Sequence, residues 1–281
     1  VRCNLTQCSR EEIVKSLKAQ DVTVSDGVFF SYALRLSDYG RLDQLETFEK
    51  GWIQVQDESS MLVGHLASVD TQSTVIDVCA APGGKSLHLA DKMKAQGRIF
   101  ACDISEEKVS LIRQNLIRTG IHNVKLKKSD ATVLREEWIE TADVVIADLP
   151  CSGLGVIGKK CDIKYKTKPQ DIQSLAAKQR KILSVVSQYV KPGGTLIFST
   201  CTIAQEENED NASWIQRQLP FEPVSIEEQL PEVLKGQTGG QGMIQILPDT
   251  AGTDGFFVSV FRKKETGKDR TEETDERKNG H

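Results

Sequence analysis

Two cysteines stand where a thiol could do chemistry: Cys151 in Asp148-Leu149-Pro150-Cys151-Ser152-Gly153, and Cys201 in Ser199-Thr200-Cys201-Thr202. Free cysteine is ordinarily a small buried hydrophobe. Each of these two instead follows a short apolar run and is flanked by polar or turn residues. An unperturbed thiol is already a few per cent thiolate at neutral pH, and a basic neighbour raises that fraction. Carbon 5 of a cytosine is too weak a nucleophile to take a methyl group directly. Addition of a thiolate at carbon 6 turns the ring into an enamine whose carbon 5 is electron-rich. Such chemistry also needs a base for the carbon-5 proton and a carboxylate beside the ring nitrogens. Asp148 is placed to be that carboxylate, and spacing alone does not decide which thiol attacks.

A second cluster precedes it. Asp77-Val78-Cys79-Ala80-Ala81-Pro82-Gly83-Gly84-Lys85-Ser86 reads as an apolar strand running into a glycine turn that opens a helix. Backbone must approach a ligand closely there, and three nucleotide-type turns compete. A P-loop needs glycine where Cys79 stands, so the Gly84-Lys85-Ser86 ending is a near miss. A dinucleotide fingerprint needs three spaced glycines, and only Gly83 and Gly84 are present. The third is an S-adenosylmethionine turn, which cradles no pyrophosphate. Asp103, ending the next strand, suits the ribose hydroxyls, and Asp130, ending the third, suits the adenine amino group.

These residues require a scaffold that brings strand ends together. From about residue 74, short β-branched runs alternate with helical patterns, which predicts an α/β domain of βαβ units with a mainly parallel sheet. Strands are expected over 74–79, 98–103, 124–128, 143–148 and 195–200, and helices near 84–95, 105–119, 171–190 and 206–218. Pro192-Gly193-Gly194 reads as a helix stop that turns into a strand. Two late runs, 243–247 and 256–262, read as an antiparallel pair closing the sheet. Such sheets take their ligands at the carboxyl ends of the strands. Residues 1–50 read as a small α+β lobe with a helix over 10–19 and a strand over 27–34. Residues 51–263 form the catalytic domain, and 264–281 form a charged tail without the apolar residues needed to order itself.

Composition sets limits. No apolar run approaches the roughly 18 residues of a membrane span, and the start lacks a signal peptide, so a cytoplasmic location is expected. The seven cysteines (3, 8, 79, 102, 151, 161 and 201) form neither a disulfide framework nor a CxxC pair, and the four histidines never fall at i, i+4, so no metal is expected. The net charge of −4 argues against a wholly basic footprint. Locally, Lys159, Lys160, Lys164, Lys166, Lys168, Lys178, Arg180, Lys181 and Lys191 face only Asp162 and Asp171 across that stretch, a stripe able to neutralise phosphates.

Together the motifs resemble the Sun family of RNA cytosine-C5 methyltransferases, and within it the bacterial enzymes acting on 16S ribosomal RNA. The resemblance covers roughly Arg41 to Lys263. It is carried by Gln54-Val55-Gln56-Asp57-Glu58-Ser59-Ser60, Cys79 to Lys85, Asp148 to Gly153, Ser199 to Thr202 with Glu206-Glu207-Asn208, and Asp254-Gly255-Phe256-Phe257. It implies that Cys79, Ala80, Ala81, Pro82, Gly83, Gly84 and Lys85 contact S-adenosyl-L-methionine. It places Asp103 at the ribose, Asp130 at the adenine, and Asp148 beside the methionine end and the target base. It makes Cys201 the nucleophile, gives Cys151 a part in product release, and pairs Lys85 with Asp148. A seven-stranded, doubly wound, Rossmann-like methyltransferase sheet and a small α+β, RNA-recognition-like lobe before it are implied too. Members of that branch usually carry a further helical RNA-binding domain at the amino end, to which nothing in these 281 residues corresponds. The expected partner is RNA, ribosomal RNA first, with the chain a monomer.

Other readings fit less well. Methylation of an exocyclic amine would want a (D/N)PP(Y/F/W) motif where Asp148-Leu149-Pro150-Cys151 stands. A nicotinamide oxidoreductase would want the missing glycine fingerprint. A non-catalytic RNA-binding module of the same fold would have no use for both thiols, whereas another RNA target, transfer RNA or 23S ribosomal RNA, would change none of the chemistry.

Overall fold

The computed structural model describes residues 1–238, 242–248 and 250–265, without the side chains of Lys164 and Lys166; most of the expected charged tail lies outside the described residues. The chain opens with β1 (Arg2–Cys3), α1 (Arg10–Lys18), β2 (Thr23–Asp26), β3 (Leu34–Ser37), α2 (Glu46–Glu49) and β4 (Ile53–Gln54). A capping box starts α1: the Ser9 hydroxyl accepts from the Glu12 N–H while the Glu12 carboxylate accepts from the Ser9 N–H. Ile13 and Leu17 of α1 join Cys3, Val22, Leu34, Leu45 and Ile53 in a core of their own. β4, just past residue 50, pairs with β1.

The strand expected over 27–34 is instead a turn between β2 and β3, which pair from Thr23↔Ser37 to Asp26↔Leu34. Phe29 and Phe30 explain the difference. Both are buried, against the core of the larger domain, and two consecutive inward side chains break the period-two alternation a strand needs.

The larger domain runs through α3 (Glu58–Leu66), β5 (Thr74–Asp77), α4 (Gly84–Lys92), β6 (Arg98–Asp103), α5 (Glu106–Thr119), β7 (Val124–Lys128), β8 (Ala142–Asp148), α6 (Ile163–Lys166), α7 (Pro169–Val186), β9 (Val190–Thr200), α8 (Glu209–Gln218), β10 (Phe221–Pro223), β11 (Met243–Ile246) and β12 (Phe256–Lys263). The sheet order is β7-β6-β5-β8-β9-β12, parallel through β9, with β12 antiparallel to it. β10 and β11 both pair along β12, opposite Phe261–Lys263 and Phe256–Ser259, so among the described residues the sheet has eight strands where seven were expected. The late antiparallel pair is present as β11 and β12.

Alternate residues of each strand feed opposite faces, which is what makes the fold doubly wound. Val75, Ile99, Val144, Ile146 and Ile197 pack with α3, α4 and α5. Ile76, Val145, Leu196, Phe198 and Phe257 pack with α7 and α8. Fully burying each such side chain contributes roughly 1.5–3 kcal/mol. Pro192-Gly193-Gly194 does not stop a helix. α7 ends at Val186, and the glycines lie inside β9, where its register against β8 shifts between Ala142 and Val144. Among the described residues, no helix is long and apolar enough to cross a membrane, and no group of three His, Cys, Asp or Glu side chains could hold a metal.

Candidate active site at the strand ends

The parallel register sets Asp77, Asp103, Asp148 and Ser199 at one end of the sheet: Asp77 lies opposite Ile146, two residues before Asp148, and Asp148 lies opposite Ser199. Strand order reverses between β5 and β8, where doubly wound folds open a crevice. A cavity of about 270 Å³ lies there, lined by Ala80, Ala81, Pro82, Gly84, Lys85, Asp148 and Cys201 from the expected set. Gln56, Asp57, Ser60, Val156, Asp254 and Phe256 complete much of its wall. Cys79, Gly83, Asp103, Asp130 and Cys151 do not line it.

Gly83 carries the turn. Its φ of +107° is one that side-chain-bearing residues rarely adopt, and a Cβ there would come within 3.1 Å of Ile112. Its N–H donates to Ala80 O at 2.7 Å, and α4 begins at the next residue with no side chain capping it. Beneath the turn Asp77 is wholly buried. One carboxylate oxygen accepts from Ser86 Oγ at 2.7 Å, and Oδ1 has no partner among the described residues. Burial, opposed by the Ser86 bond, pushes its pKa up to about 7. A glycine turn, an uncapped helix start and a buried carboxyl fit a small zwitterionic donor such as S-adenosylmethionine.

Asp103 is buried below the turn, accepting from Ala81 N at 3.1 Å and from Lys108 at 3.1 Å. Asp130 is exposed. It holds its own loop by accepting from Thr132 N and Oγ1, which, with help from Lys178 and Lys181, keeps its carboxyl below the ordinary range. It lies two residues beyond Lys128, which faces Asp103 in the register, so both acids sit at the same sheet end.

At the centre, Lys85 Nζ lies 2.7 Å from Asp148 Oδ2, and Ser199 Oγ donates to Asp148 Oδ1 at 2.8 Å. Burial works against the Lys85 ammonium, but Asp148, with Asp77 and Cys201 farther off, holds its pKa above the ordinary lysine value. The sulfurs of Cys151 and Cys201 are 3.3 Å apart. A hydrogen bond from Cys151, partly offset by burial and aided by Lys85, lowers the pKa of Cys201; the same contact, burial and nearby Glu207 raise that of Cys151. Of the two thiols, Cys201 is the one that faces the cavity. Outside the pair, Glu207 disfavours a thiolate on Cys151, while at Cys201 Lys85 favours one and Asp148 opposes it, so the direction at Cys201 is set by the hydrogen bond from Cys151. Burial pushes Cys3, Cys79 and Cys102 the other way.

Two residues that carried no assigned role hold the cysteine loops. Glu207, wholly buried, accepts from Ser152 N at 3.0 Å, from Ser152 Oγ and from Gln179. Asn208, also buried, donates to Thr202 O at 3.0 Å and accepts from Thr200. At the cavity mouth Lys159 bridges Asp57 at 2.9 Å and Asp254 at 2.7 Å, so this member of the basic stripe is already paired. Lys191 is bound to Asp143 near the amino ends of the strands, remote from the cysteines. Lys160, Lys168, Lys178 and Lys181 remain exposed.

Residues 64–262 match the family described as 16S rRNA methyltransferase RsmB/F. The probable ribosomal RNA small subunit methyltransferase B of Bacillus subtilis is 39% identical over 94% of this chain and 59% of its own length. The ribosomal RNA small subunit methyltransferase F of Cronobacter sakazakii is 36% identical over 76% of this chain and 45% of its own. The chain thus spans about half the length of these relatives. Among solved structures, a methyltransferase homologue from Pyrococcus horikoshii superposes with a TM-score of 0.78 at 28% identity, covering 93% of this chain and 85% of its own. NSun6 from the same organism, solved with SFG, gives 0.83 at 22% identity over 93% and 89% and shares the fold. On the match across residues 64–262 and on these relatives, the chain belongs to the 16S rRNA methyltransferase RsmB/F family.

Proposed function

We propose that this chain methylates carbon 5 of a cytosine in RNA, small-subunit ribosomal RNA first, through a covalent bond between Cys201 and carbon 6. The observation that carries the reading is a thiol pair 3.3 Å apart in which the cavity-facing member is the one favoured as thiolate. The ribosomal target rests on the names of the curated relatives.

S-adenosylmethionine, when bound, supplies the electrophilic methyl group; Ala80 to Lys85 would hold it, with Asp77 beneath, Asp103 at the ribose and Asp130 at the adenine. Cys201 adds to carbon 6 and leaves electron density at carbon 5. The negative charge that the thiolate brings to the ring is neutralised by a proton taken up from solvent at ring nitrogen 3, and Asp148, fixed by Lys85 and Ser199, favours that protonated form by accepting its N–H. After the methyl group has arrived, Cys151 assists removal of the carbon-5 proton, and elimination of Cys201 frees the product. Because a stacked cytosine is out of reach, the base must leave its helix at a cost of a few kcal/mol, which favours loops and helix ends. The amino-terminal α+β unit serves as an RNA-recognition lobe.

RNA bearing 5-fluorocytosine tests this, since fluorine cannot leave as a proton and the adduct persists. The expected result is a denaturant-resistant protein–RNA band that Cys201→Ala abolishes. A band that survives in Cys201→Ala would assign the attack to another residue. Complete dissociation of the unaltered chain in denaturant would favour a binding module of the same fold.

A further inference from the structure

The contact between the two thiols has a consequence that methyl transfer does not call on. Cys151 lies three residues past β8 and Cys201 one past β9, on loops that meet with their sulfurs 3.3 Å apart. A disulfide is about 2.05 Å long, so bonding requires an approach of roughly 1.3 Å, within reach of side-chain rotation on loops. Cys201 faces a cavity whose rim residue Val55 is 52% exposed, so a molecule the size of a peroxide can reach it. Cys151 stands behind it, outside the cavity lining, where a resolving thiol belongs.

We propose that Cys151 and Cys201 form a two-electron redox pair, closed to a disulfide by hydrogen peroxide and reopened by a dithiol, so that peroxide reversibly silences the site. The silencing rests on the proposed role of Cys201; the disulfide itself rests on the geometry. In the first step the Cys201 sulfur attacks one peroxide oxygen, the O–O bond breaks, and the departing hydroxide takes a proton to become water, leaving a sulfenic acid. Cys151 then attacks that sulfur, its proton goes to the departing hydroxide, and a second water leaves. Overall, two thiols are oxidised by two electrons and one peroxide is reduced to two waters. A dithiol returns two electrons and two protons and becomes a disulfide. Closing the pair also shields Cys201 from irreversible oxidation, because the resolving thiol captures the sulfenic acid first.

The test uses the full chain carrying Cys161→Ser, which removes the exposed thiol that would otherwise react. After peroxide treatment without RNA, intact mass should fall by about 2 Da, and a non-reduced digest should join the peptides holding residues 151 and 201. Trapping of 5-fluorocytosine RNA should be lost and should return after dithiothreitol. In a further Cys151→Ser variant, residue 201 should instead gain about 32 Da, as a sulfinic acid that dithiothreitol does not reverse. The pair is overturned if Cys201 gains oxygen in the presence of Cys151 without the linkage forming. The silencing is overturned if the linked protein still traps RNA. Linkage is read by mass alone, so reduced protein that links under peroxide yet never traps RNA overturns the proposed function and leaves the redox pair standing.

Discussion

Lys85, the second residue of α4, meets Asp148, the last residue of β8, in an ion pair of 2.7 Å whose side chains are 14% and 25% exposed. The contact ties the glycine turn to the Pro-Cys loop. The lysine also acts on Cys201, favouring its thiolate, while Asp148 opposes it. One cation thus serves two anions: it steadies the Asp148 carboxylate and supports the Cys201 sulfur, the two groups to which the proposed reaction assigns the ring nitrogens and the attack.

Replacing that cation should therefore be felt at the sulfur. In Lys85→Met, the pH midpoint for alkylation of Cys201 by iodoacetamide, followed by peptide mass, should move upward. Adduct formation at pH 7 should slow by about 10²- to 10³-fold, the scale of losing one preorganised electrostatic contact. Removing one partner of a buried pair also costs about 3 kcal/mol of stability at most here, since both side chains keep some solvent contact. An unshifted alkylation midpoint would show that the thiolate owes nothing to Lys85.

The two thiols should fail in opposite ways. Cys201→Ala should form no covalent RNA adduct while binding S-adenosylmethionine as tightly as the unaltered chain in calorimetry. Cys151→Ala should accumulate adduct on ordinary cytosine RNA, with turnover lowered by roughly 10²- to 10⁴-fold, the usual contribution of a positioned proton-transfer group. The adduct should also form more slowly, since the hydrogen bond that favours the Cys201 thiolate is gone. Rapid turnover without accumulation would remove Cys151 from the mechanism.

The strands were legible because β-branched runs such as Thr74-Val75-Ile76 end in polar turns, and their carboxyl ends gave Asp103, Asp148 and Cys201 their positions. Helix α3 was not legible: almost every one of its residues is buried, so it lacks the polar stripe that reveals a helix. The glycines within β9 carried the signature of a helix stop, and only pairing with β8 shows them as an irregularity in a strand. In the site, the residues contributed by the glycine turn and the cysteine loops could be found locally. Glu207 and Asn208 could not be given work from sequence, because their partners, Ser152 and Gln179 for one and Thr200 and Gln245 for the other, are brought to them by the fold. The ion pairs of Lys159 were hidden for the same reason. A lysine in a basic run looks free until Asp57 and Asp254 arrive from distant segments.

Asp77 should leave a mark on stability against pH. Its folded pKa of about 7 lies above the ordinary 3.8, so the protonated form is favoured by folding. The stability that follows is fully present below about pH 4 and is lost as pH rises through 7. The difference between the two pKa values corresponds to roughly 4 kcal/mol. Asp77→Asn cannot ionise, so its melting temperature should fall less than that of the unaltered chain between pH 4 and pH 8. Parallel melting curves across that range would show that Asp77 stays charged when buried.

The basic stripe divides under a salt titration of RNA binding. Lys178 and Lys181 are exposed, and both act on Asp130 at the cavity end of the sheet, whereas Lys191 is bound to Asp143 near the other end. Each lysine that neutralises a phosphate of single-stranded RNA contributes about 0.7 to the slope of log affinity against log salt. Lys178→Ala and Lys181→Ala should therefore each flatten the slope by about that amount without changing which cytosine is methylated. Lys191→Ala should leave the slope as it was. If Lys191→Ala flattens it as much as the other two, the RNA crosses the opposite end of the sheet, and the path from the backbone to Cys201 drawn here is wrong.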